Sequence, residues 1–129
     1  EVLRNKTKAH CQLEKLIYER LEFIENGKIA ITYLTLKDYA EYSNDMGDDE
    51  GLVESIRDIE GVEVAVLLKE KENGGFKISM RSKDNVNVSD ICLLLGGGGH
   101  QRAAGCFITG DVSQAKTKVI NTIKQQINK

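Results

Sequence analysis

A chain of 129 residues with 40% hydrophobic and 29% charged residues has the size and make-up of one ordinary globular domain. Its formal net charge of -2 gives no general attraction for nucleic acid or acidic membranes, so any anion site has to be local. No apolar run is long enough to span a bilayer and no signal-peptide pattern opens the chain, so the expectation is a cytoplasmic protein with no membrane partner.

The chain begins at Glu1, and a helix is expected almost at once, so the sequence reads as a fragment of a longer protein. Leu13, Ile17, Leu21 and Ile24, with Leu16 and Phe23 beside them, follow helical spacing from about Lys6 to Glu25, and Asn26-Gly27 supplies a stop. Lys28 to Thr35 is β-branched and aromatic, with Ile29, Ile31 and Tyr33 on one face of a strand. A short helix follows from Leu36 to Ser43, with Leu36, Tyr39 and Ala40 on one side. Residues 44 to 50 form an acidic loop, and Leu52, Val53, Ile56 and Ile59 mark a further helix ended by Gly61.

Val62 to Lys69 is almost wholly apolar, the pattern of a strand covered on both faces. Asn73-Gly74-Gly75 is a hairpin turn into Phe76 to Ser82, where Phe76, Ile78 and Met80 face one way and Lys77, Ser79 and Arg81 the other. Ser89 is placed to cap a short helix from Asp90 to Leu95. After a glycine-rich stretch, Cys106 to Thr109 reads as a strand. Ser113 then caps an amphipathic helix carrying Ala115, Val119, Ile120, Ile123 and Ile127. The fold class expected is α/β: a single domain with a mixed sheet of about four to five strands flanked by helices.

The glycine-rich stretch Gly96-Gly97-Gly98-Gly99-His100-Gln101-Arg102-Ala103-Ala104-Gly105 is the most informative part of the chain. Four ordered glycines cost backbone entropy and need a reason, such as positive φ or the close approach of another molecule. Successive N–H groups in such a turn form a nest for anions, and a helix starting after it would add its positive end. His100 and Arg102 supply donors suited to phosphate or carboxylate. A structural turn with His100 in solvent is the competing reading. The spacing fits neither the P-loop nor the GxGxxG fingerprint.

Arg81, near a strand end, is placed either to point toward the glycine loop or to stand in solvent. Asp45, Asp48, Asp49 and Glu50 lack calcium-loop spacing and read as a solvated acidic loop rather than a metal site. His10 reads as a surface or packing residue. Cys11, Cys92 and Cys106 read as reduced, packed thiols, not as a disulfide framework or zinc site. No metal cluster and no nucleophile-base pair stands out.

GGGGHQRAAG resembles the signature of the DHH-associated domain, type 1, the C-terminal half of DHH-family phosphoesterases. The likeness extends over the KIAITYLT strand, DDEGLVESIRDIEGVEVAVLLKE and FKISMRSK. Within that family the chain is similar to enzymes that degrade very short RNAs and dephosphorylate 3′-phosphoadenosine 5′-phosphate, often described as exopolyphosphatase-related. The resemblance implies that residues 1–129 are a substrate-binding domain whose partner is the protein's own N-terminal DHH domain, where two divalent cations, typically manganese, activate a water. It assigns Gly97, Gly98, Gly99 and His100 to the substrate phosphate and Arg81 to the phosphate or nucleotide, with Arg102 at a variable position of the motif. The ligand implied is a short RNA or nucleoside bisphosphate, no catalytic or metal-binding residue falls in this chain, and a homodimer is compatible with it. The same domain also accompanies single-strand exonucleases and alanyl-tRNA synthetases, where it serves nucleic-acid binding, and a cyclic-dinucleotide phosphodiesterase or exopolyphosphatase is a further alternative. Aromatic residues at 5% are few for a long single-strand track.

Overall fold

A computed structural model describes residues 6–43 and 47–128. The elements run α1 (Lys8–Glu19), β1 (Glu22–Ile24), β2 (Ile29–Leu34), α2 (Leu36–Tyr42), α3 (Leu52–Arg57), β3 (Val64–Lys71), β4 (Gly75–Ser82), α4 (Val88–Leu94), β5 (Gly98–His100), β6 (Ala103–Thr109) and α5 (Val112–Ile127). Six strands form one sheet in the order β1-β2-β3-β4-β6-β5, two more than the longer apolar runs reveal. Only β2 and β3 pair in parallel, through a crossover that contains α2 and α3. The other neighbours are antiparallel.

Every residue from Val64 to Leu68 is buried, because β3 has a helical layer on each face. On one side Val64, Val66, Ile78 and Met80 pack with Ile91 and Cys92 of α4 and with Ala115, Val119 and Ile123 of α5. On the other, Ala30, Ala65 and Leu67 meet Leu13 and Ile17 of α1 and Leu52, Val53 and Ile56 of α3. Alternation in β4 sends Phe76, Ile78 and Met80 to the α4–α5 side. Lys77, Ser79 and Arg81 therefore lie on the α1–α3 side.

The first helix ends at Glu19, six residues before the apolar spacing runs out. Glu25, Asn26 and Gly27 all take positive φ (56°, 57° and 84°) and turn the chain, so that Glu22–Ile24 pairs with Ile29–Ile31. Cap positions also differ from expectation. Asn87 accepts from the Asp90 N–H and Asp111 from the Gln114 N–H, each two residues before the serine expected to do so. In α2, Tyr39 packs inward while Leu36 and Ala40 are exposed.

The helical layer beneath β2 is tied together by one ion pair. Arg20 follows α1 and donates to both carboxylate oxygens of Asp38 at 2.6 and 3.0 Å and to the Tyr33 carbonyl at 3.1 Å, with its guanidinium 4.6 Å from the Tyr33 ring centroid. Asp38 also closes a capping box with Thr35 at the start of α2. Burial pushes the Asp38 carboxyl up, but the bonds from Arg20 and Thr35 outweigh it and leave its pKa lowered. Its contribution to stability is then present above the unfolded carboxylate pKa and lost as pH falls through the lower folded value.

Arg20→Ala leaves Asp38 buried without its cation and should destabilise the fold by about 2–3 kcal/mol at neutral pH. Urea denaturation across acid pH should show the difference between variant and wild type shrinking as Asp38 protonates. A difference that stays constant with pH would contradict the role given to the pair.

Candidate functional site

The glycine stretch leaves α4 through a closed turn. Gly96, at φ 89°, lets its N–H reach the Leu93 carbonyl (3.1 Å) while the Gly97 N–H bonds the Cys92 carbonyl (2.7 Å), the Schellman pattern. Gly97 then lies directly on β6. A Cβ there would stand 2.1 Å from the Gly105 carbonyl oxygen and 2.7 Å from Cys106 Cα. Gly98 to His100 become β5, with Gly98 opposite Gly105, Gly99 opposite Ala104 and His100 opposite Ala103. The expected nest at a helix N-terminus is therefore not what forms. The chain passes from a helix C-terminus into a strand, and one of the N–H groups counted toward the nest caps that helix.

Sheet pairing creates a different arrangement. Arg81, Ala103 and His100 are opposite one another across β4, β6 and β5, and Ser79, Gly105 and Gly98 form the next row. Opposed residues share a face, so both rows lie on the α1–α3 side. Among the strands, helix α3 packs mainly on β3 and β4, and Ala103, Gly105 and Gly98 stay partly exposed. The result is an open shelf floored by small residues, with Arg81 at one side, His100 at the other and Phe107 at 41% exposure along the strand. Two strand spacings put the Arg81 and His100 backbones about 10 Å apart, a width two long side chains can close on a phosphate group. Gly98 has room for a side chain within the fold, since a Cβ would meet nothing closer than Leu93 Cδ2 at 3.8 Å.

Arg81 does not extend freely. Its Nε donates to Glu54 Oε2 at 2.9 Å and Nη1 donates to the Met80 carbonyl at 2.9 Å. A small cavity of about 240 Å³ opens beside it, lined in part by Asp49, Glu54, Lys69 and Ser79.

Arg102 sits at the β5–β6 turn, and its guanidinium donates to the Asp84 and Val86 carbonyls. Ser82, buried at 2% exposure, donates to Val86 and Gln101 carbonyls, and the Val88 N–H donates to Gln101. These bonds pin the hairpin that presents His100. Lys83 is spent on the Ile59 carbonyl at 2.7 Å.

The acidic loop departs from the solvated reading. Asp45 lies outside the described residues, but Asp48 is buried and accepts from the Thr7 and Ser43 hydroxyls, while its carbonyl bonds His10 Nδ1 at 2.9 Å. Asp49 accepts from the Tyr39 hydroxyl at 2.7 Å and pairs with Lys69 at 3.4 Å. Burial and this bond push the Tyr39 phenol well above its usual range. Among the described residues, no three His, Cys, Asp or Glu side chains converge to hold a metal ion. Cys92 and Cys106 are buried free thiols, whereas Cys11 is exposed on α1 rather than packed.

Arg81 and His100 are thus brought to one face with Ala103 between them and Gly98 in the neighbouring row. Gly97 serves the turn and Arg102 the hairpin. Sequence reasoning missed Ser79, Ala103, Gly105 and Glu54. The alternation in FKISMRS already puts Ser79 on the Arg81 side, but nothing in the sequence carries α3 over β4.

The family model described as the DHHA1 domain matches residues 15–129. Over 83 residues, 64% of this chain, it is 39% identical to the bifunctional oligoribonuclease and PAP phosphatase NrnA of Thermus thermophilus. It is 27% identical over 107 residues (83% of the chain) to the protein of the same name from Mycoplasma genitalium. Those stretches are 25% and 32% of the relatives, so the chain spans about a quarter to a third of their length. Among solved structures, an exopolyphosphatase-related protein from Bacteroides fragilis superposes with a TM-score of 0.86 at 21% identity, over 94% of this chain and 36% of that one. The pGpG-specific phosphodiesterase PggH of Vibrio cholerae gives 0.61 at 16% identity, over 92% and 40%. At those identities the likeness is one of fold.

Gly97→Ala should cost about 1–3 kcal/mol of stability by forcing α4 away from β6. Gly98→Ala should change stability by no more than about 1 kcal/mol. Chemical denaturation of the two variants checks the contrast, and equal losses would contradict the separate roles of the two glycines.

Proposed function

This chain belongs to the DHHA1 domain family, and we propose that it is the substrate-binding domain of a phosphoesterase that acts on short oligoribonucleotides and on 3′-phosphoadenosine 5′-phosphate. The observation that carries this reading is the row Arg81, Ala103, His100 on an open part of the sheet. Relatives named as oligoribonuclease and PAP phosphatase support the substrate class.

Arg81 and His100 donate to phosphate oxygens from opposite sides, as charge-assisted or neutral hydrogen bonds. Ala103 and Gly105 keep the floor flat, and Gly98 lets the sugar-phosphate chain approach the backbone. Few phosphates are held, in keeping with a short ligand rather than a long strand. Bond cleavage is assigned to a separate DHH domain, whose manganese ions would supply the activated water. This chain binds and orients.

In the longer protein, His100→Ala and Arg81→Ala should each lower kcat/KM toward a short RNA by roughly tenfold to a hundredfold, the loss of one charge-assisted bond of about 1.5–3 kcal/mol. Gly98→Ala should weaken substrate while leaving the fold intact. Residues 1–129 alone with manganese should hydrolyse neither substrate. Unchanged kcat/KM in both the His100 and Arg81 variants, with the protein folded, would return the glycine stretch to a purely structural turn.

A further inference from the structure

We propose that Glu54 is a positioning residue for Arg81, an inference that rests on the reading of the open face given above. Glu54 is the third residue of α3, which packs mainly over β3 and β4 among the strands. Its carboxylate meets Arg81 at the boundary between covered and open sheet.

The geometry assigns the arginine's donors. A guanidinium has five N–H groups in a fixed plane. Two are committed, Nε to Glu54 and one on Nη1 to the Met80 carbonyl, at two separate points of that plane. Two anchors fix the plane and leave the three remaining N–H groups, one on Nη1 and both on Nη2, for a ligand on the shelf. An unanchored arginine at a strand end would have to give up its rotamer freedom on binding. Glu54 removes that cost in advance.

Glu54 also has a negative charge near the phosphate, which opposes binding. The two effects have opposite signs and can be separated by substitution. Glu54→Gln keeps an acceptor for Nε and removes the charge. Glu54→Ala removes both. A residue that merely stabilised α3 would affect folding in both variants and would not divide them in this way.

The test titrates 3′-phosphoadenosine 5′-phosphate into the 129-residue chain, wild type and variants, with folding checked by thermal denaturation. Glu54→Ala should bind about three- to tenfold more weakly, and Glu54→Gln at least as tightly as wild type. The Arg81 Nε–H signal in ¹⁵N NMR should be protected from exchange in wild type and Glu54→Gln and lost in Glu54→Ala. Tighter binding by both variants would make Glu54 only a competing charge and overturn the proposal. Wild-type binding by both, with Arg81→Ala weakened, overturns the positioning role while leaving the site in place. Wild-type binding by Arg81→Ala overturns the site and the positioning role together.

Discussion

The open end of the sheet depends on one close approach, the backbone of Gly97 lying directly against that of Gly105 and Cys106. No side chain can occupy the space between them. Because the gap is closed, α4 can end in a Schellman turn and hand the chain straight into β5, and β5 can pair with β6. That pairing adds the last strand to the sheet and places His100 in the same row as Arg81. If Gly97 stood further off, the row would lose its His100 side.

A net charge of -2 is compatible with phosphate recognition because the positive groups are placed rather than numerous. Arg102, Lys83 and Lys69 are near the shelf in the chain or the fold, yet each is held by carbonyls or a carboxylate of the protein. Arg81 keeps three N–H groups and His100 is exposed. The shelf therefore offers two cation or donor positions about 10 Å apart over a neutral floor. That arrangement suits a ligand with one or two phosphates better than a polyanion tracked over many residues.

Period and length made most of the fold legible in the sequence. The alternation of Phe76, Ile78 and Met80 and the continuous apolar run of β3 leave little choice of face or position. The three-residue strands were not legible. At β1, Leu21 just before the strand and Ile24 within it fit the helical spacing of the residues before them, and in β5 two glycines and a histidine have no pattern to read. The glycine motif misled on local geometry, because a run of glycines fits an anion nest and a close-packed strand equally well. Asp48 was unreadable for another reason. Its burial depends on Thr7 and Ser43 converging on it, a matter of tertiary placement with no local signature.

The most direct test of the open shelf is to map ligand-induced amide shifts on the chain with 3′-phosphoadenosine 5′-phosphate. The account predicts that the largest changes fall on Ser79, Arg81, Gly98, His100, Ala103 and Gly105, with Val119 and Ile123 on the opposite layer unmoved. Changes centred on residues 47–51 and the start of α1, with the β4–β6–β5 row silent, would contradict it.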